Sequence, residues 1–451
     1  VLANSEVTNS KLAENRVTHH FATSDLIPSY LFSFVAGRFE SVTRTRNGRR
    51  MTMLHRETDT ERLNGNVDTI FDLHAEALTW LESYTGIDYP FQKLDFVLIP
   101  AFPYRGMEHV GAIQYRAEAL LLDANATETE LLDRASLIAH EVAHAWFGNL
   151  VTMRWFDDVW TKEVFANFMA ARMVNPAFPD IDHELRFLLD HYPEAYGVDR
   201  TEGANAIRQE LPKLNEAGSL YGAIIYHKAP NMMRQQESLM GEEAFQRGMR
   251  SYLEKYSIYN ASWPDLIAIH NDLTEHDLAA WSEVWVNTAG RPAFSATTDD
   301  NGKRMIIQSD AARRDRVWPQ AMEIAAFSPT SRSIYSIASD HRPAAIPAQE
   351  GQRLLFNADG RGYGLFPAEI GDTTLWSRLT PVEKGSLLIN LYENLLEGRL
   401  GDPADYLDSL LQLLTIERDE QLIELMLAQL RPVFWNLLPN RTREQHAAAV
   451  E

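Results

Sequence analysis

At 451 residues the chain is too long for a single hydrophobic core, so two to four domains are expected. Hydrophobic residues make up 45% and charged residues 23%, the profile of an ordinary soluble globular protein, and no apolar run reaches the roughly eighteen residues of a membrane-spanning helix. A formal net charge of −21 argues against the clustered basic face that nucleic acid or an anionic membrane requires, and the lack of cysteine excludes disulfides and thiolate metal ligands.

The first residues, VLANSEVTNSKLAENR, contain no apolar signal core, so no signal peptide is expected within this chain, and the sequence selects neither a compartment nor an oligomeric state. Residues 28–56 read as strands, with a turn at Asn47-Gly48. Leu and Trp recur at helical intervals from 60 to 84. The run LDFVLIP (94–100) predicts a buried strand, and VGAIQYRAEALLLD a second. Thr127 and Glu130 have capping-box spacing and open a helix that runs into HEVAHAWFGNL. The chain is then mostly helical to about 288, with another helix start at Ser262–Asp265. Residues 293–368 alternate apolar and polar positions, as a small antiparallel β domain does. From 373 onward the pattern is Leu-rich with helical period, like stacked helical pairs. It ends without an evident capping unit, so a truncated array is expected.

The chemistry is concentrated in HEVAHAWFGNLVTMRWFDDVWTKEVF, residues 140–165. On a helix, positions i and i+4 are about 40° apart, so His140 and His144 can aim two imidazoles at one metal. Glu141 is offset enough to miss the metal while reaching a water on it. A third ligand is needed, and Glu163 on the returning helix supplies it. H-E-x-x-H alone arises by chance in roughly one chain in thirty of this size, and the added Glu reduces that to about one in several hundred.

These residues resemble the aminopeptidase N family of zinc metallopeptidases (gluzincins), whose pattern is H-E-x-x-H-x-W-x-G-N-x-V-T with a Glu eighteen residues on. Trp146, Gly148, Asn149, Val151, Thr152, Trp160, Phe165 and Ala166 all fall in place. The resemblance implies one Zn2+ on His140, His144 and Glu163, with Glu141 as general base. Upstream, Arg105-Gly106-Met107-Glu108-His109 resembles the family's G-x-M-E-N. A carboxylate beside a zinc site can pair with a substrate's terminal ammonium, which restricts cleavage to the first peptide bond. The resemblance makes Glu108 that carboxylate, with Gly106 and Met107 lining the substrate. Arg105 and His109 depart from the family's Gly and Asn, which bears on the first side-chain subsite. Ile225-Tyr226-His227-Lys228 resembles V-Y-E-K and makes Tyr226, rather than Tyr221, the donor to the oxyanion. Asp158, with Asp157 as the alternative, is expected behind a zinc-bound histidine. Lys162 and Ala170 stand where the family often has Asn and Glu.

The expected fold is multidomain α+β. It comprises a remnant of an N-terminal β domain (1–45), a thermolysin-like zinc catalytic domain (46–289), a small β-sandwich (290–368) and a helical, α-solenoid-like C-terminal segment (369–451). Most of the family's N-terminal domain, which adds a contact to the substrate's amine, is expected to be missing from this chain. The implied activity is hydrolysis of the N-terminal peptide bond of peptides with a free α-amine by zinc-activated water, with no nucleic acid as partner. The alternatives are a bifunctional aminopeptidase and lipid-epoxide hydrolase, a non-catalytic scaffold on the same fold, and a thermolysin-type endopeptidase, which Glu108 disfavours.

Overall fold

The computed structural model describes all residues except 220–221, 301, 311, 314, 340–342, 349–350, 370–372 and 451. Chain contacts divide it into two units. The first comprises 1–180, 210–217 and 239–276; the second comprises 181–209, 218–238 and 277–451.

The first unit opens with short strands: β1 (Leu2–Ala3), the hairpin β2 (Val7–Ala13) and β3 (Arg16–Phe21), and β4 (Phe34–Val35), which pairs antiparallel with β1. Its main sheet has five strands: β5 (Glu40–Arg46), β6 (Arg49–His55), β7 (Phe96–Ile99), β8 (Gly106–Met107) and β9 (Ile113–Arg116). Their order is β5-β6-β7-β9-β8. β5 and β6 form a hairpin closed by Asn47 (φ +50°) and Gly48 (φ +76°), the double positive-φ turn that Asn-Gly favours. β6, β7 and β9 run parallel, and β8 returns antiparallel to β9 at the edge.

A parallel step from β6 to β7 requires a crossover, supplied by helix α1 (Thr60–Thr85). Asp59 caps its first turn by accepting the N–H groups of Glu61 and Arg62, and Gly86 ends it at φ +73°. Ile70, Phe71, His74, Leu78 and Leu81 recur every three or four residues and are buried. The segment predicted as one strand beyond Val110 is a strand only to Arg116. Ala117–Leu120, made of strong helix formers, turns into the short helix α2.

In the second unit, strands Ala293–Thr298, Arg304–Ser309 and Ala344–Ile346 form one antiparallel sheet, and Arg332–Ser339, Gln320–Phe327 and Arg353–Phe356 another. Phe294 and Ile306 from the first meet Met322, Ile324 and Phe356 from the second in one apolar core. Helices Pro381–Leu396, Pro403–Ile416 and Glu420–Pro432 follow. Among the described residues no helix is long and apolar enough to cross a membrane.

Candidate active site

Helix α3 (Glu128–Ala143) starts in the expected capping box: the Glu130 N–H donates to Thr127 Oγ1 (3.2 Å), and the Thr127 N–H donates to the Glu130 carboxylate (2.8 Å). Its last turn carries His140 and Glu141, and His144 caps it. The chain then turns tightly. The Asn149 N–H returns to the His144 carbonyl, and Gly148 adopts φ +124°. A side chain at Gly148 would begin 3.2 Å from Lys162 Cβ and 3.5 Å from His144 Nδ1, so glycine lets α3 and its successor approach. That successor, α4 (Val159–Val174), brings in Glu163.

The three expected ligands meet. The Nε2 atoms of His140 and His144 are 3.0 Å apart, and Glu163 Oε2 lies 3.6 and 4.0 Å from them. Ligand atoms 2.0–2.1 Å from a tetrahedral metal are themselves about 3.3 Å apart, so the trio matches the donor set and spacing of a three-ligand site with a fourth position open. The ring nitrogens facing away are also held. His140 Nδ1 is 2.8 Å from Asn167 Oδ1, and His144 Nδ1 is 3.0 Å from the Phe147 carbonyl. These are the partners that fix tautomer and ring direction in metal-ligating histidines. The sequence assigned that place to Asp158. Instead, Asp158 Oδ2 accepts the Trp263 N–H (3.2 Å), where an acid at the end of a 3-10 turn meets the first residue of another helix. Asn167 was missed, although it follows Glu163 by four residues on one helix face.

Burial and neighbouring charge set the protonation states. Burial works against the His140 imidazolium, but Glu163, Glu141 and Glu108 outweigh it and raise its pKa. Burial lowers His144 to about 4, keeping it a neutral donor. Burial would raise Glu163, yet Lys162 and the two histidines hold it well below the usual carboxylate range. Glu141 is pushed the other way. Burial lifts it to about 8, opposed by His140 and reinforced by Glu108 and Glu163. Its Oε2 is buried and takes no hydrogen bond among the described residues.

Glu108 follows the edge strand β8. Glu108, Glu141 and His144 also place ligand atoms within 4.8 Å of one another. Burial would raise the Glu108 carboxyl, but Lys162 and His144 bring it to about 2. Lys162 Nζ lies 2.5 Å from Glu108 Oε1 and 2.9 Å from Glu163 Oε1. Asn149 Nδ2 donates to the Glu108 carbonyl (3.0 Å). The segment around Glu108 is tied to the start of the chain, since Asn4 Nδ2 donates to the carbonyls of Leu31 and Val110 (both 2.9 Å). His109 Nδ1 sits 3.0 Å from the Leu31 carbonyl. Arg105 is 57% exposed and 3.8 Å from Asp133. Tyr226 belongs to the second unit, half-buried in the π-helical turn Ile224–Lys228, while Tyr221 lies outside the described residues.

Two histidines one turn apart and a glutamate from the next helix form a triad able to hold a metal ion, in the H-E-x-x-H arrangement. Residues 70–285 match the "Peptidase family M1 domain", which places this stretch of the chain among the aminopeptidase N-like metallopeptidases. It is 32% identical over 295 residues to the puromycin-sensitive aminopeptidase of Caenorhabditis elegans, covering 65% of this chain and 31% of that protein. To the leucyl aminopeptidase of Saccharolobus solfataricus it is 26% identical over 409 residues (89% and 51%). To aminopeptidase N of Lactococcus lactis it is 30% identical over 329 residues (70% and 38%). The matched stretch thus spans between about a third and a half of each relative.

Proposed function

We propose that this chain carries a zinc-dependent aminopeptidase activity, with one Zn2+ held by His140, His144 and Glu163. The observation that carries the reading is the convergence of those three ligand groups with two further carboxylates, Glu108 and Glu141, in two triads that share His144, all but the half-buried His140 being buried. The acidic cluster and the names of the relatives both favour a peptide with a free α-amine as substrate.

In this reading Glu108 receives the substrate's α-ammonium, which sets the first peptide bond in register. Bound zinc supplies Lewis acidity, polarising the scissile carbonyl and lowering the pKa of water. Glu141 accepts a proton from the attacking water on its unpartnered oxygen and returns it to the departing amine, a role suited to a carboxyl raised toward neutrality. Asn167 and the Phe147 carbonyl keep the histidine rings aimed. We assign Tyr226 the hydrogen bond to the developing oxyanion, on its place in the Ile225–Lys228 motif.

The test compares hydrolysis of an alanyl chromogenic amide with its N-acetylated twin by zinc-loaded protein. Strong preference for the free amine is the expected result. Equal cleavage of the two would replace this reading with an endopeptidase, and cleavage of neither by fully loaded protein would replace it with a binding scaffold.

A further inference from the structure

One buried cation occupies the centre of the cluster, and the function above gives it no task. Lys162 Nζ reaches Glu108 Oε1 (2.5 Å) and Glu163 Oε1 (2.9 Å) and lies 5.6 Å from the Tyr30 ring centroid. Lys162, Glu108 and Glu163 are all buried. The carboxylate of Glu163 is therefore divided: Oε2 faces the histidine Nε2 atoms and Oε1 faces the lysine. Glu108, in turn, has one oxygen committed to an ammonium that belongs to the protein.

We propose that Lys162 is a positioning residue that sets how the site receives a substrate's amine. Its ammonium bridges the metal-ligand carboxylate to the amine-binding carboxylate and takes up part of their charge. The inference rests on the aminopeptidase reading and goes beyond it.

Two consequences follow from the contacts. A primary ammonium already sits against Glu108, so an incoming α-ammonium must use the lone pairs Lys162 leaves and must approach a like charge in a dry site, where such repulsion is strong. Lys162 therefore weakens substrate binding. The same two contacts fix both carboxylates, so Lys162 also supports turnover, because misplacing a positioned group slows the chemical step. A residue needed only for packing would not separate these effects.

The experiment compares wild type, Lys162→Gln and Lys162→Met on the alanyl amide. Lys162→Met strips a buried carboxylate of its partner, so Lys162→Gln, which keeps a donor without the charge, guards against misfolding. In Lys162→Gln, KM is expected to fall about tenfold and kcat at least tenfold; Lys162→Met, where it folds, should lose more kcat. Calorimetric titration of the metal-free proteins with L-alaninamide gives a readout independent of turnover, and binding should be about tenfold tighter in Lys162→Gln. Unchanged KM and unchanged alaninamide affinity in a folded Lys162→Gln would overturn the inference, as would a raised KM. A wild type indifferent to N-acetylation would overturn the aminopeptidase reading, and the inference with it.

Discussion

The backbone of Gly106 lies against the carboxylate of Glu141, so that a Cβ at position 106 would fall 2.5 Å from Glu141 Cδ and 2.7 Å from its Cγ. The edge strand thus lies directly against the side chain of Glu141, the proposed base. Replacing Gly106 with Val is expected to push the Glu141 side chain out of that position while leaving the metal ligands in place. Kinetics with parallel zinc analysis should show kcat lowered about a hundredfold, in the range of general-base loss, at full metal content. Normal kcat in the variant would contradict this role for the contact.

Asn167 makes a prediction about metal rather than rate. Its Oδ1, 2.8 Å from His140 Nδ1, holds the ring that presents Nε2 to the site. Asn167→Leu should weaken zinc binding by about 10- to 100-fold in competition against a chelator. An unchanged dissociation constant would show that His140 is oriented by other means.

The raised pKa of Glu141 bears on the pH–rate profile. A general base works ionised, so kcat/KM should fall as pH drops through its pKa. Burial places that pKa near 8 in the protein alone, and a bound dication pulls it down, so the acid limb should fall between the ordinary 4.5 and 8. A profile flat down to pH 4.5 would be incompatible with a base held in this environment.

Stability should have its own pH dependence, set away from the site. His74 is fully buried, with Nδ1 2.8 Å from the Ile70 carbonyl and its ring stacked on Phe96, and burial lowers its pKa to about 4. Burial likewise lowers His270 and His191 to about 3. Each folded-state pKa lies below the unfolded value of 6.5, so between the two the unfolded chain binds the proton that the folded chain refuses. Stability is full above pH 6.5 and declines as pH falls toward 4, by about 3 kcal/mol for His74 if its whole shift is expressed. Urea midpoints should already drop between pH 6.5 and 5, measured in Glu141→Gln because the raised Glu141 carboxyl takes up a proton on folding in the same window and opposes the histidines. Constant midpoints across that window would show that these histidines titrate normally.

Local features were legible in the sequence because their physics is local. The Asn47-Gly48 turn, the Thr127–Glu130 capping box and the pairing of His140 with His144 each depend on residues within one or two turns. The same holds for the Ser262–Asp265 helix start, where both halves of the box form. Contacts that close over long separations were not legible. Lys162 reaches Glu108 across 54 positions, and Asn4 reaches Val110 across 106, neither with any periodicity to announce it. Asp158 shows the opposite difficulty: an acid near the motif reads as a histidine partner until a backbone N–H from 105 residues away claims one of its oxygens.

Every side chain assigned to metal or to the substrate's amine lies between Gly106 and Asn167, all within the first unit, whereas Tyr226 comes from the second. In the proposed reading, metal binding calls only on residues of the first unit, whereas turnover also calls on Tyr226. A stoichiometric zinc content would therefore report on the proposed ligand set alone and would say nothing of Tyr226.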